Sequence, residues 1–197
     1  QLLREEVCKL DALVFTHSHK DHVAGMDDVR AFNYLQEKPM DVYATEATQC
    51  TLRGEFPYIF SGEDYPGIPQ IDLHTIEAGT DFEVGDIHIQ PIEVYHYKMP
   101  VLGFRMGSFT YITDANAIAE TELEKIMGTE ILVLNALRRE THISHFTLDE
   151  AIALAQQIKP RICYLTHISH QLGLHEEVSR ELPPGIALAS DRMTIET

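Results

Sequence analysis

The stretch FTHSHKDH, residues 15–22, ends a short apolar run and places three histidines and one aspartate within six positions. In a turn, alternate side chains can converge, so His17 and His19 are able to bind one metal ion. Asp21 and His22 are expected to enter the helix that follows, where they can serve a second ion close by. A helix N-terminus also favours the carboxylate of Asp21. The stretch therefore predicts a site for two metal ions.

Three further side chains of ligand type stand where predicted strands end, namely His96, Asp114 and His167. They are needed, because a zinc ion takes about four or five ligands and the first stretch cannot complete two sites. Loops that follow strands are where α/β proteins place their binding residues. A single histidine at a strand end is more often a surface or core residue than a ligand. The whole set, in contrast, favours a metal centre.

The composition fits one globular domain over residues 1–197. Hydrophobic residues make up 44% of the chain, and no segment approaches the ~18 apolar residues that span a membrane. Cys8, Cys50 and Cys163 are widely spaced and form no CxxC motif. That pattern argues against a disulfide framework and favours a reducing, cytoplasmic environment.

The net charge of −16, from 31 acidic and 15 basic residues, is unfavourable for non-specific nucleic-acid binding. Such binding depends on clustered lysine and arginine. Two bound divalent cations would offset about four of the negative charges. Nucleic acid is therefore not expected as a partner, and the lack of a long apolar segment argues against a membrane.

Apolar periodicity alternates between strand-like and helix-like segments, without an internal repeat or a linker. The predicted strands are 12–16, 41–44, 71–76, 82–84, 87–95, 102–106, 109–113, 131–137 and 161–166. The predicted helices are 26–36, 46–56, 121–127, 148–158 and 171–182. Thr147 and Glu150 indicate a capping box, and Gly107 with Ser108 a hairpin turn. These elements predict an α/β fold that is antiparallel in the middle of the chain.

Three motifs resemble the metallo-β-lactamase superfamily: HSHKDH at 17–22, YITDAN at 111–116 and YLTHISH at 164–170. They look most like the branch of the phosphoribosyl cyclic phosphodiesterases, which are accessory proteins of carbon–phosphorus lyase, and more distantly like tRNase Z. The resemblance implies an αβ/βα four-layer sandwich with a dinuclear metal site along one edge of its two sheets.

The resemblance also implies a role for each residue of ligand type. Asp114 would bridge two ions, because its two oxygens can span metals ~3.5–4 Å apart. His145, in HISHF at 142–146, falls where the phosphodiesterase branch has its catalytic histidine. Asp21 joins it in the expected catalytic set. The two terminal ligand sets would be His17, His19 and His96 for one ion, and Asp21, His22 and His167 for the other.

The chain differs from the family at its beginning, where only 16 residues precede the first motif. About the first quarter of the fold is expected to be missing, either because the chain is a fragment or because the segment was lost. In the phosphodiesterase branch, that segment often carries cysteines that hold a structural zinc together with a histidine three residues past the last metal ligand. His170 occupies that position, which makes it a candidate ligand for a structural metal.

The expected chemistry is hydrolysis by a metal-bridging hydroxide, with zinc or manganese, or else iron, as the two ions. His145 would protonate the leaving oxygen or bind the developing anion. Arg138 and Arg139 follow a predicted buried strand, and either could clamp a substrate phosphate; the alternative is a solvated charge at a strand end. His142 is expected on the surface.

The leading hypothesis is a phosphodiesterase acting on a small cyclic or nucleotide-like phosphodiester. A tRNase Z-like nuclease is disfavoured, because residues 53–93 carry nine acids and one base. A lactonase or β-lactamase fits His145 and Asp21 less well. A non-catalytic metal-binding member of the fold stays open, although such proteins generally lose ligands. Dimerisation is compatible with the family.

Overall fold

The structure, a computed structural model, describes residues 2–63 and 65–196. The chain divides into two compact units, residues 1–86 and 87–197. Each unit has its own sheet and its own hydrophobic core. The two are therefore described in turn.

The first unit is built on a parallel three-stranded sheet in the order β1-β2-β3. Alternate residues of the central strand, Met40, Val42 and Ala44, are fully buried, as a strand covered on one face requires. The helices of this unit contribute Val23, Phe32 and Leu52 to the same core. The elements are β1 Ala12–Val14, α1 Lys20–Val23, a 3-10 turn Met26–Val29, α2 Arg30–Gln36, β2 Met40–Ala44, α3 Glu46–Glu55, β3 Ile71–Thr75 and β4 Phe82–Val84.

The second unit contains a mixed sheet in the order β11-β10-β9-β7-β6-β5, with the short β8 paired to β5. Strands β5, β6 and β7 are antiparallel neighbours, whereas β7, β9, β10 and β11 run parallel. The strands are β5 Ile87–His96, β6 Met99–Met106, β7 Phe109–Ile112, β8 Ala117–Ile118, β9 Ile131–Asn135, β10 Ile162–Thr166 and β11 Ile186–Leu188.

Three helices flank this sheet: α4 Glu120–Ile126, α5 Leu148–Ile158 and α6 His175–Glu181. Every residue of β9 is buried, which is typical of a central parallel strand. Helix α5 buries Leu148, Ala151, Ala155 and Ile158 against the sheet at helical spacing. The core thus holds the ends of β9 and β10 in fixed positions.

Most predicted elements are present, and α5 has the predicted bounds and the predicted capping box of Thr147 and Glu150. The predicted helix 171–182 is shorter and starts at His175, because Gly173 has a φ of 123° that no α-helix accommodates. The predicted helix 26–36 begins as a 3-10 turn. Strands β8 and β11 were not predicted. Within the described residues, no helix is both long and apolar enough to cross a membrane.

Gly103 of β6 allows the close approach of β7, the strand that leads to Asp114. A Cβ at this position would lie 2.8 Å from Cγ1 of Ile112 and 3.0 Å from the carbonyl oxygen of Tyr111. We expect Gly103→Ala to lower the free energy of unfolding by about 1–3 kcal/mol in denaturant titrations, because β7 must move.

Gly54→Ala is the matched control for this substitution. Gly54 lies within α3 and has no atom within 4 Å of an added Cβ, so alanine there should leave stability unchanged or raise it by up to ~1 kcal/mol. Equal stabilities for the two variants would contradict the tight β6–β7 contact.

Candidate metal centre

The first unit carries a cluster of three imidazoles and a carboxylate directly after β1. The ring centroid of His17 lies 4.7 Å from that of His19 and 4.3 Å from that of His22. His19 is the N-cap of α1, so Asp21 and His22 occupy the first turn of that helix, as the sequence predicts. A carboxylate oxygen of Asp21 is 3.3 Å from Nε2 of His22. The turn after β1 and the start of α1 together bring these four side chains close to one another.

The second unit carries a separate cluster where its strands end. His96 closes β5, Asp114 lies two residues beyond β7, and His167 follows β10. Oδ1 of Asp114 is 3.1 Å from Nδ1 of His167, and Oδ2 is 3.3 Å from Nε2 of His145. The His145 ring stacks on the His167 ring at 4.9 Å and meets the His96 ring edge-on at 4.6 Å. The three predicted ligands of this unit and the predicted catalytic histidine are therefore neighbours.

The backbone turns sharply at three positions in this cluster. Tyr97, Asp114 and His167 have φ values of 60°, 57° and 55°, in the left-handed region that non-glycine residues rarely adopt. Each such residue costs on the order of 1–3 kcal/mol, which the surrounding structure must offset. Strained backbone of this kind concentrates at functional sites, and here it coincides with strand-end residues of ligand type.

Asn135 holds the turn after Asp114 in place. Its side-chain oxygen accepts from the Ala115 N–H at 2.9 Å, and its amide donates to the Ala115 carbonyl at 3.0 Å. The same carbonyl accepts from the N–H of Phe146, which follows His145. The end of β9 therefore ties the loop of Asp114 to the loop of His145. Sequence reasoning missed Asn135; its one signal was a polar residue closing an otherwise apolar strand.

Hydrogen bonds around the cluster orient the candidate ligands. The Nδ1–H of His96 donates to the carbonyl of Ser144 at 2.9 Å, which makes Nε2 the nitrogen whose lone pair a metal ion would use. The hydroxyl of Thr113 donates to Oδ1 of Asp114 at 2.7 Å. In the first unit, the hydroxyl of Thr16 is 3.0 Å from Nδ1 of His17, a contact of the same kind. Metal-binding histidines and carboxylates are commonly held in this way.

The donor set of the two clusters fits divalent transition metals. Imidazole nitrogens and carboxylate oxygens suit zinc, iron and manganese, and no thiol of the described residues belongs to either cluster. Histidines oriented through Nδ1 by a backbone carbonyl or a hydroxyl are arranged as metal ligands usually are. The residues present therefore fit the metal ions that the sequence predicts.

Other predicted site residues have protein contacts or are exposed. The guanidinium of Arg138 donates to Gln171 and to the carbonyls of Glu140 and Thr141. Arg139 forms an ion pair with Glu181 at 2.6 Å. A phosphate-binding role for either arginine stays a prediction. To bind phosphate, the arginine side chain would have to break its contacts with these partners. His170 is exposed, and its structural metal also stays a prediction.

His142 differs from its predicted place on the surface. It is half-buried, and its Nδ1 lies 3.1 Å from Nδ1 of His145. The loop between Arg138 and Thr147 is folded back so that both imidazoles meet. Because that loop has no periodic pattern, its curvature could not be predicted from the sequence.

The chain is similar to several known proteins. Residues 1–168 match the model of the β-lactamase superfamily domain. An octanoyltransferase of Porphyromonas gingivalis is 35% identical over 187 residues, which cover 94% of this chain. The chain spans 38% of the length of that relative.

Solved structures show the same relationship. A diphosphatase from the PhnP family is 37% identical, with a TM-score of 0.91 over 100% of this chain and 75% of that one. Zinc-bound PqqB from Methylobacterium extorquens is 18% identical, with a TM-score of 0.72 over 94% of this chain and 73% of that one. The second likeness is one of fold.

The match to the superfamily model covers most of the chain, and the PhnP-family relative is similar along its whole length. These findings confirm the α/β fold class and the resemblance carried by the HxHxDH motif. They agree with the two clusters of histidine and aspartate described above. The chain therefore belongs to the metallo-β-lactamase superfamily.

Proposed function

We propose that the two clusters together form one dinuclear centre that hydrolyses a small phosphodiester or diphosphate. In this proposal the ligand-type residues form two sets that share Asp114. Two divalent ions, when bound, would supply a nucleophile from water at neutral pH and would neutralise charge on the phosphoryl oxygens. The sets are His17, His19, His96 and Asp114 for one ion, and Asp21, His22, His167 and Asp114 for the other.

His145 is the observation that carries the proposal. It is buried at 8% exposure and contacts Asp114, yet neither ligand set requires it. A histidine held beside a ligand without being one is suited to act on the substrate. At 3.3 Å from Oδ2 of Asp114, its Nε2 can donate a proton to a leaving oxygen or bind a phosphoryl oxygen.

A phosphoryl substrate is further supported by the PhnP-family relative, which is a diphosphatase. A diester and a disubstituted diphosphate present the same reacting group, a phosphorus with anionic oxygens and a leaving oxygen. A leaving alkoxide has a high pKa and gains from protonation by His145, whereas a leaving phosphate gains less. The two substrate classes therefore make different demands on the same histidine.

The alternatives have less support. A tRNase Z-like activity needs a basic surface, and the chain carries a net charge of −16. The octanoyltransferase name belongs to a relative of which this chain spans 38%. Burial raises the pKa of the Cys163 thiol to about 12, so this cysteine stays protonated and cannot serve as an acyl-accepting thiolate. The lactonase and non-catalytic hypotheses remain for experiment.

Metal content tests the shared carboxylate. We expect two ions per chain after reconstitution and dialysis, measured by inductively coupled plasma mass spectrometry. Asp114→Ala should lose both ions, because its carboxylate belongs to both sets, whereas His96→Ala should mainly weaken one. His88→Ala, an exposed histidine on the same strand β5, is the matched control and should retain both. One ion or none in the unaltered protein would contradict the dinuclear proposal.

Leaving-group dependence tests His145. His145→Ala should keep both ions and lose activity by roughly 10²- to 10⁴-fold on a nucleoside 5′-phosphate methyl ester. The loss should be smaller on the matching p-nitrophenyl ester, because p-nitrophenolate leaves without protonation. His175→Ala, an exposed histidine in α6, is the control.

Other outcomes of this experiment are also informative. Equal losses on both esters would assign His145 to binding of the phosphoryl oxygen. Full activity on both would exclude it from the mechanism and remove the main reason for a phosphohydrolase. Bound metal with no turnover of esters or disubstituted diphosphates would favour the non-catalytic hypothesis.

A further inference from the structure

His142 and His145 meet through the same ring atom, Nδ1, at 3.1 Å. Two nitrogens at this distance share one hydrogen, so one ring donates and the other accepts. The identity of the donor ring determines whether the hydrogen of His145 lies on Nδ1 or on Nε2, the nitrogen beside Asp114. The neighbouring backbone identifies the donor.

The backbone N–H of Ser144 donates to Nδ1 of His142 at 3.4 Å. A backbone amide always carries its hydrogen, so Nδ1 of His142 is an acceptor and holds no proton. The shared hydrogen therefore sits on Nδ1 of His145. His145 in turn contacts Asp114 through Nε2, so its two nitrogens face different partners.

We propose that His142 is a positioning residue that accepts a hydrogen bond from the Nδ1–H of His145 and fixes the ring with Nε2 toward Asp114. The inference rests on the proposed role of His145. It gives His142 the place that a carboxylate holds beside many catalytic histidines.

The surroundings keep His142 neutral and in place. Burial, followed by the nearby His145, Arg138 and His96, lowers the pKa of His142 below its ordinary value. Arg138 donates to the carbonyls of Glu140 and Thr141, which immediately precede His142. It thereby holds the loop in the curve that brings the two rings together, a use for Arg138 that needs no substrate.

Ser144 is the rival for the same task. Its hydroxyl oxygen is 3.0 Å from Nδ1 of His145 and 3.3 Å from Nδ1 of His142. The hydroxyl can accept from His145 and pass a hydrogen bond on to His142. An imidazole nitrogen is the more basic acceptor, so we assign the orienting role to His142 and treat Ser144→Ala as the variant that separates the two.

The test compares His142→Leu, which fills the space without an acceptor, with His142→Asn, whose amide oxygen can take the position of Nδ1. Activities are measured on the methyl and p-nitrophenyl esters of one nucleoside 5′-phosphate, and metal content is measured for each variant. We expect His142→Leu to keep both ions and to lose kcat by about 10- to 100-fold on the methyl ester, within the range of general acid catalysis. KM and the p-nitrophenyl activity should change little.

His142→Asn should recover most of the methyl-ester activity, Ser144→Ala should lose less than His142→Leu, and His175→Ala should behave like the unaltered protein. Equal activity of His142→Leu and the unaltered protein on the methyl ester would overturn the inference, provided that His145→Ala is impaired. So would equal losses in His142→Leu and His142→Asn, or a larger loss in Ser144→Ala. A His145→Ala variant with full activity would instead overturn the proposed function itself.

Discussion

The burial of the Asp114 carboxylate is the constraint on which the second unit depends. This side chain is 2% exposed, and a buried carboxylate costs several kcal/mol unless cations or hydrogen bonds compensate it. Thr113 donates to one oxygen, while His145 and His167 lie within 3.3 Å of the carboxylate. A neutral imidazole has a single N–H to donate, and the inferred bond to His142 uses that of His145, so divalent cations are the compensation for which this arrangement is suited. Bound cations would then both compensate the buried charge of Asp114 and supply the chemistry of the proposed site.

Strand topology explains why the carboxylate lies where it does. Strands β7, β9 and β10 run parallel and adjacent, so residues beyond their carboxyl ends meet at one edge of the sheet. Asp114 and His167 both have left-handed backbone there, and their side chains lie 3.1 Å apart. Asn135, at the end of the strand between them, satisfies the backbone of Ala115 and thereby stabilises a turn that would otherwise be costly. Asn135 is thus a polar residue of a buried strand that stabilises the loop after Asp114 through hydrogen bonds to its backbone.

The candidate ligands could be predicted from the sequence, because ligand chemistry and strand ends are both local properties. Residues 17–22 are contiguous, and His96, Asp114 and His167 each follow an apolar run. The residues that orient these ligands could not be predicted, because their hydrogen bonds join segments that are distant in the sequence. The bond from His96 to Ser144 spans 48 positions, and the bonds of Asn135 to Ala115 span 20. Likewise β8 and β11, with two and three residues, are too short to show a period.

Electrostatics limits what such a centre can bind. With a net charge of −16, the chain repels polyanions, and its field is screened beyond ~8–10 Å at moderate salt. A long nucleic acid would place many phosphates against acidic surface such as that of residues 53–93, whereas a small phosphate ester places its charge at one point. In the proposed function, two divalent cations would carry more positive charge than the carboxylate ligands carry negative charge. The same acidic composition that disfavours RNA is therefore compatible with the small anionic substrate proposed above, whose affinity would then come from the bound metal ions and the histidines near them.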